Sequence, residues 1–234
     1  MGILLFQNHA CMVINKLPGE SSESPKIVAE AADFLAPVHR LDVPVSGCLL
    51  LAKNAEAAAF LGAAFADYNS RVEKRYWAIV ERHVGSIKAN SNIPDANKPE
   101  AELIHWISVD KKTNKSFASL TKRNVMSKKA VIRYRVAGEG EHYLFLEINL
   151  VTGRHHQIRA QLAAIGLHVK GDLKYGARRS EKGGGIRLHA HSLAFPNPLE
   201  PSEVIRVKAL PQIEDSLWAA FEGALKVSPC IPNT

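Results

Sequence analysis

The apolar positions of this chain fall mostly into short runs with the period of a β-strand, interrupted by two stretches of helical spacing. Residues 3–6 and 11–14 predict a hairpin, closed by Gln7 to His9 and followed by a Pro18-Gly19 turn. Cys48 to Ala52 is a continuous apolar run bounded by Gly47 and Lys53, the signature of a short buried strand. Glu73 to Val80 predicts a strand with Tyr76, Ala78 and Val80 on one face and Arg75, Trp77 and Ile79 on the other. Two more alternating strands follow at 130–136 and 142–151. From Ala55 to Tyr68, good helix formers at helical spacing predict a helix. Thr152-Gly153 then turns the chain into a second helix, in which Ile158, Leu162 and Ile165 share a stripe and Gly166 is the stop. Residues 85–100 hold Asn, Pro, Ser and Asp without period, an exposed excursion rather than a domain boundary. With no internal repeat, residues 1–234 read as one domain built on a sheet.

Composition narrows the class. Apolar residues make up 46% of the chain, enough for a core, yet no run of about 18 uncharged apolar residues exists, so no membrane span is expected. The apolar opening Met1 to Phe6 lacks a basic front and a small-residue cleavage site, and reads as a strand rather than a signal peptide. Cys11, Cys48 and Cys230 are odd in number and widely spaced, which argues against a disulfide framework or a zinc cluster and fits a reducing, cytoplasmic compartment. Thirty Lys and Arg against 23 Asp and Glu leave a net +7. Much of the excess is local. Lys111, Lys112, Lys115, Lys122, Arg123, Lys128, Lys129, Arg133 and Arg135 crowd one span beside a single Asp110, and a second group runs from Arg154 to Arg187. Shared sign favours a surface that tracks phosphates over two merely solvated faces. The basic loop at 110–129 could instead dock a protein.

The candidate chemistry lies at His39-Arg40-Leu41-Asp42, a carboxylate in the loop that feeds the Cys48 to Ala52 strand. By itself Asp42 reads equally as a turn cap or a partner of Arg40. Other segments change that. The opening Ile3 to Lys16, His39-Arg40-Leu41-Asp42 with Ser46-Gly47 and Leu49 to Lys53, and Lys74-Arg75-Tyr76-Trp77-Ala78-Ile79-Val80 stand in order along the chain. After them come Gly153-Arg154-His155-His156-Gln157-Ile158-Arg159, Gly171-Asp172, Tyr175-Gly176 and Leu188-His189-Ala190. Together these resemble the catalytic domain of the RluA-type pseudouridine synthases.

The resemblance implies an α+β fold: a mixed, largely antiparallel β-sheet with flanking helices and loops and an active-site cleft across the sheet. It implies an RNA pseudouridine synthase acting on structured rRNA or tRNA, without cofactor or metal. The catalytic residues would be Asp42, Tyr76 and Arg159. Asp42 either attacks the sugar or base or abstracts a sugar proton. Arg159 would hold it ionised, with a guanidinium suited to a two-pronged grip on a carboxylate. Tyr76 would stack on the displaced uracil and is a candidate for the last proton removal from carbon 5. Substrate contacts are implied for His39, Arg40, Arg154, Gln157 and Leu188. Arg40 would fill the space vacated by a flipped base, Arg154 would meet phosphate, and Leu188 would wall the uracil pocket.

The chain departs from the family at several positions. Val45 stands where a threonine is usual, Gln161 replaces a common histidine, Leu167-His168-Val169-Lys170 replaces a more apolar turn, and Leu17-Pro18 alters the order after Asn15-Lys16. No small RNA-binding module is expected ahead of residue 3, so recognition falls to the catalytic domain, expected to be monomeric, or to another protein. Gly183-Gly184-Gly185 suggests a loop that moves. Two rival chemistries are weaker. A metal site at His155, His156, His189 and His191 lacks a companion Cys or carboxylate at suitable spacing, and Val45-Ser46-Gly47 lacks the elbow of a nucleophilic serine. A reading of another class is an RNA-binding or assembly factor with a vestigial site, motivated by Val45.

Overall fold

The computed structural model describes residues 2–23, 34–67, 69–82, 100–181, 184–212 and 215–227. The excursion expected over 85–100 lies, apart from residue 100, outside these. In chain order the strands are β1 (Ile3–Gln7), β2 (Cys11–Lys16), β3 (Ala36–Pro37), β4 (Ser46–Ala52), β5 (Glu73–Glu81), β6 (Ala101–Asp110), β7 (Lys115–Ser119), β8 (Lys128–Glu139), β9 (Tyr143–Leu150), β10 (Leu188–Pro196) and β11 (Val204–Lys208). The helices are α1 (Ala55–Ala66), α2 (Gln157–Ala164) and α3 (Ser216–Val227). The chain divides into two compact units, Met1–Tyr76 with Lys182–Pro211 and Trp77–Glu181 with Gln212–Thr234.

In the first unit β1, β2, β4 and β10 lie side by side, β3 pairs with β4, and β11 pairs with β10. Pairing is antiparallel except between β4 and β10, which run parallel with His189 beside Ser46 and Ala190 beside Gly47. That contact explains a glycine. At Gly47 φ is +115° and a Cβ would lie 2.3 Å from the carbonyl oxygen of Ala190, so only glycine lets the strands meet. All six residues of β2 are buried, so this strand runs past the predicted 11–14 to Lys16. Val13, Leu50, Leu193 and Phe195 build the core with Leu61 of α1. Asn54 starts α1 by accepting the Ala57 N–H on its side-chain oxygen at 2.8 Å.

In the second unit the order is β9-β8-β6-β7, all antiparallel, and β5 continues into this unit from Trp77 onward. Helix α2 packs on β6 and β7. Helix α3 packs Trp218 and Phe221 against Trp77, Ile79, Ala137 and Phe145. The stretch 110–129, read above as a loop, contains β7. This edge strand has one large apolar residue, Phe117, and a lysine at its start, a composition that masks the period of 2 and suits an exposed edge. The fold is thus α+β with a mixed, mostly antiparallel sheet. Among the described residues no helix is long and apolar enough to cross a membrane.

Candidate active site

The loop that carries Asp42 is fixed at nearly every residue. The Leu50 N–H donates to Nε2 of His39 at 3.2 Å, and the His39 ring stacks on Phe65 with centroids 5.1 Å apart. Leu41 exchanges hydrogen bonds with the hydroxyl of Ser22, N–H to Oγ and Oγ to carbonyl, both at 2.9 Å. The Val43 carbonyl accepts from Gly19 N–H at 2.7 Å, the Pro44 carbonyl from Ile186 N–H at 3.1 Å, and Val45 N–H closes a turn on the Asp42 carbonyl at 2.9 Å. Ser46 Oγ lies 2.8 Å from Nδ1 of His189, whose Nε2 lies 3.0 Å from the Ala209 carbonyl. A carbonyl only accepts, so Nε2 carries the proton and Nδ1 accepts from Ser46. Burial lowers the His189 pKa to about 4, which keeps this ring neutral. The loop is thus held by backbone and neighbouring side chains without a hydroxyl at Val45.

Behind the loop sits a cation that the motif reading left without a role. Lys16 is fully buried, and its ammonium donates to the carbonyls of Leu17 at 2.8 Å, Glu20 at 2.9 Å and Val43 at 3.3 Å. Three donors meet three acceptors, two in the 17–20 loop and one in the Asp42 loop. Burial lowers its pKa to about 8, and the charges of Glu20 and Asp42 act in the opposite direction. Asp42 itself is half-buried. Tyr76 is buried, and its phenol is pushed up first by desolvation and then by the Asp42 carboxylate. Thus Asp42 and Tyr76 are brought into electrostatic reach within the first unit, and Tyr76 holds its proton at neutral pH. Leu188 is buried at the first position of β10. Arg40 is exposed and reaches Glu23 at 3.4 Å, an ion pair between two solvated side chains.

The remaining expected residues lie in the second unit, on or just ahead of α2. Arg159 is buried and its guanidinium meets the buried Asp172 twice, Nε to Oδ2 at 2.6 Å and Nη2 to Oδ1 at 2.8 Å. Its Cζ lies 4.8 Å from the centre of the Tyr175 ring. A two-pronged grip of the kind expected on Asp42 is made on Asp172, which the sequence offered only as part of a Gly171-Asp172 string. Arg154 donates from Nε to the Lys129 carbonyl at 3.1 Å and is half-buried. Gln157 is buried. Its Oε1 accepts from the Thr152 hydroxyl at 2.8 Å and the Arg154 N–H at 2.9 Å, and Nε2 donates to the Val131 carbonyl at 3.1 Å. These contacts make Gln157 a brace for the turn ahead of α2, and His39 a brace for the Asp42 loop.

Other sequence features settle locally. Gln161 ties α2 to β6 and β8 through Nε2, 3.0 Å from the Leu103 carbonyl and 3.4 Å from that of Ala130. His168 donates from Nδ1 to the Tyr175 carbonyl at 2.6 Å, and its ring lies against Gly176, where φ is +96°. The glycine loop expected to move is held at its far end. A Cβ on Gly185 would lie 2.8 Å from the Pro18 side chain, and Ile186 bonds Pro44. His191 donates from Nδ1 to the same Ala209 carbonyl as His189, at 2.9 Å. Burial pushes the thiols of Cys11 and Cys48 up to about 11 and about 12, so both stay unreactive, while Cys230 lies outside the described residues.

A family profile described as RNA pseudouridylate synthase matches residues 12–164, a stretch containing Asp42, Tyr76 and Arg159. An uncharacterized RNA pseudouridine synthase of Zymomonas mobilis is 32% identical over 177 residues, 75% of this chain and 73% of the relative. The tRNA pseudouridine synthase C of Vibrio parahaemolyticus is 29% identical over 204 residues, 80% of this chain and 76% of its own. Another similar protein is named for the large ribosomal subunit. Among solved structures, the human RNA pseudouridylate synthase domain containing 1 matches with a TM-score of 0.67 at 20% identity, covering 99% of this chain and 97% of that one, a likeness of fold.

Proposed function

The chain belongs to the RNA pseudouridylate synthase family, and from that premise we propose that it isomerises uridine in structured RNA without a cofactor, with Asp42 as its central group. It is an isomerase of the RluA type, and its substrates are of the rRNA or tRNA class. The bond between ribose C1′ and N1 of uracil breaks and one between C1′ and C5 forms. The C5 proton leaves and N1 gains one, so atoms balance with no other reactant. The observation that carries the assignment is a carboxylate within electrostatic reach of Tyr76 on a loop tied down by Lys16, Ser22, Gly19 and His189. Such fixing lets a reacting group work without reorganising at the moment of reaction.

In this reading Arg159, oriented by Asp172, is the cation that keeps the Asp42 carboxylate ionised. Tyr76 provides the stacking surface for uracil. Its phenol enters neutral, so it removes the C5 proton only in concert with a group that takes its own. Arg40 leaves a weak, exposed pair with Glu23 to fill the gap left by the flipped base. Arg154 meets phosphate and Leu188 walls the base. Both units form one catalytic domain, which the run of the family profile from residue 12 to 164 supports. We read the protein as a monomer, and its buried free thiols Cys11 and Cys48 fit the reducing cytoplasm. The test is release of tritium from RNA transcripts carrying uridine labelled at carbon 5. Wild-type protein releases it, and Asp42→Asn does not while RNA affinity is kept. Release by Asp42→Asn at the wild-type rate would overturn the assignment.

A further inference from the structure

The second unit has a sheet face that this chemistry does not use. Residues paired across antiparallel strands point to the same side. The registers Ser108 with Phe117, Trp106 with Ser119, Trp106 with Lys129 and Ile104 with Val131 therefore put Phe117, Trp106, Ile104 and Lys129 on one face of β7, β6 and β8. The intervening Leu103, His105 and Ile107 are buried on the other side, where α2 packs and carries Arg159. Helix α3 covers the first face only further along, near Phe145 and Gly138. At the β6–β7 end no described element covers it, and Phe117 is 40% and Ile104 44% exposed.

Two features identify an occupant. Both aromatic rings at this open end have an ammonium near them: Lys122 Nζ is 5.4 Å from the Trp106 centroid, and Lys115 Nζ lies between two rings, 5.7 Å from the centroid of Phe117 and 5.2 Å from that of Tyr175. The neighbouring acids already have internal partners. Glu102 binds Arg133 at 3.0 Å, and Asp110 caps its turn through the Thr113 hydroxyl at 2.7 Å and the Lys112 N–H at 2.9 Å. What remains is an aromatic surface rimmed by lysine. Protein interfaces are depleted in lysine at their centre. Single-stranded nucleic acid offers what this face lacks, flat π surfaces joined by phosphates.

We propose that the open face of β7, β6 and β8 is a second RNA platform, which stacks unpaired bases on Phe117 and Trp106 while Lys115, Lys122 and Lys129 take the adjoining phosphates. The inference rests on the reading that this chain acts on RNA. A base arriving over either ring displaces the lysine above it towards its own phosphate, so the cation–π contact of the unbound protein becomes an ion pair in the complex. Because α2 covers the opposite side of β6 and β7, the platform and the helix that carries Arg159 lie on opposite faces of these strands.

The test uses the full chain and a labelled dodecamer of adenosine, which has bases to stack and no uridine to isomerise, followed by fluorescence anisotropy. Phe117→Ala should weaken binding about tenfold, the order seen for loss of one base stack, while Phe117→Trp should keep it. Lys122→Gln should weaken it a few-fold and lower the slope of log affinity against log salt by about one. Asp42→Asn should leave it unchanged. Trp106 is half-buried where Trp77 and Trp218 are buried, so the oligomer should also quench the accessible tryptophan emission. Unchanged affinity in Phe117→Ala would overturn the proposal, as would a Phe117→Ala protein that changes only its state of self-association. Phe117-dependent binding in a protein that releases no tritium from labelled uridine would uphold the platform and sink the isomerase reading. Tritium release without Phe117-dependent binding would do the reverse.

Discussion

Arg159 grips Asp172 through two parallel hydrogen bonds, at 2.6 and 2.8 Å, with 5% and 1% of the two side chains exposed. A buried fork of this kind orients the guanidinium and leaves a large uncompensated charge if either partner is lost. Asp172→Ala should therefore lower stability by about 3 to 5 kcal/mol, read from chemical denaturation. Arg159→Lys, which keeps charge but not the fork, should lose both turnover and stability. An unfolding midpoint unchanged in both variants would remove Asp172 as the group that positions Arg159.

Gly47 meets Ala190 where β4 and β10 run parallel, with no space for a Cβ and a positive φ. Gly47→Ala should cost about 3 kcal/mol or more, since it combines backbone strain with a clash against main chain. Thermal or denaturant unfolding of the variant checks this. A loss below about 1 kcal/mol would mean the strands separate there at little cost.

Lys16 makes the activity sensitive to alkali. Its folded pKa is lowered from 10.5 to about 8, so the ammonium loses its third donor as pH rises through about 8. The Asp42 loop should loosen, and kcat should fall over that range with RNA affinity less affected. Lys16→Met should start from a lower kcat and show no such fall. A wild-type profile flat to pH 10 would contradict the tie between Lys16 and Val43.

His189 should make the fold sensitive to acid. Its folded pKa is about 4 against 6.5 ordinarily, so between these values the unfolded chain binds a proton that the native ring refuses. Stability then falls as pH drops from 6.5 to 4, by up to about 1.4 kcal/mol per unit from this group. His39, lowered to about 3 by burial and then by Lys74, acts in the same direction. Denaturation at a series of pH values should show the slope, and His189→Gln should flatten it. An equal slope in that variant would mean other groups carry the acid sensitivity.

What could be read from the sequence was what is written locally. The run from Cys48 to Ala52, the alternation from Glu73 and the stripe of Ile158 and Leu162 each lie within a few residues, and the structure has strand, strand and helix there. Helix α3 was legible but passed over. Leu217, Trp218, Phe221 and Leu225 repeat at helical spacing behind Asp215, whose carboxylate caps the N–H groups of Leu217 and Trp218. Partners distant in the chain were not legible. Nothing near Ser46 announces His189, 143 residues on, and nothing near Lys16 announces that its ammonium closes on Val43. The same limit hid the partners of Gln157 and His39, whose polar atoms reach Thr152, Val131 and Leu50. Strand β7 escaped because its lysine and serines mask the alternation.

The central claim is that Asp42 drives uridine isomerisation in cellular RNA. The most direct measurement is pseudouridine mapping of total RNA by a chemical mark on the modified base, in cells with the native protein, without it, and with Asp42→Asn in its place. The account predicts that one or a few sites disappear together in the last two samples. Sites that persist in the Asp42→Asn cells would contradict it.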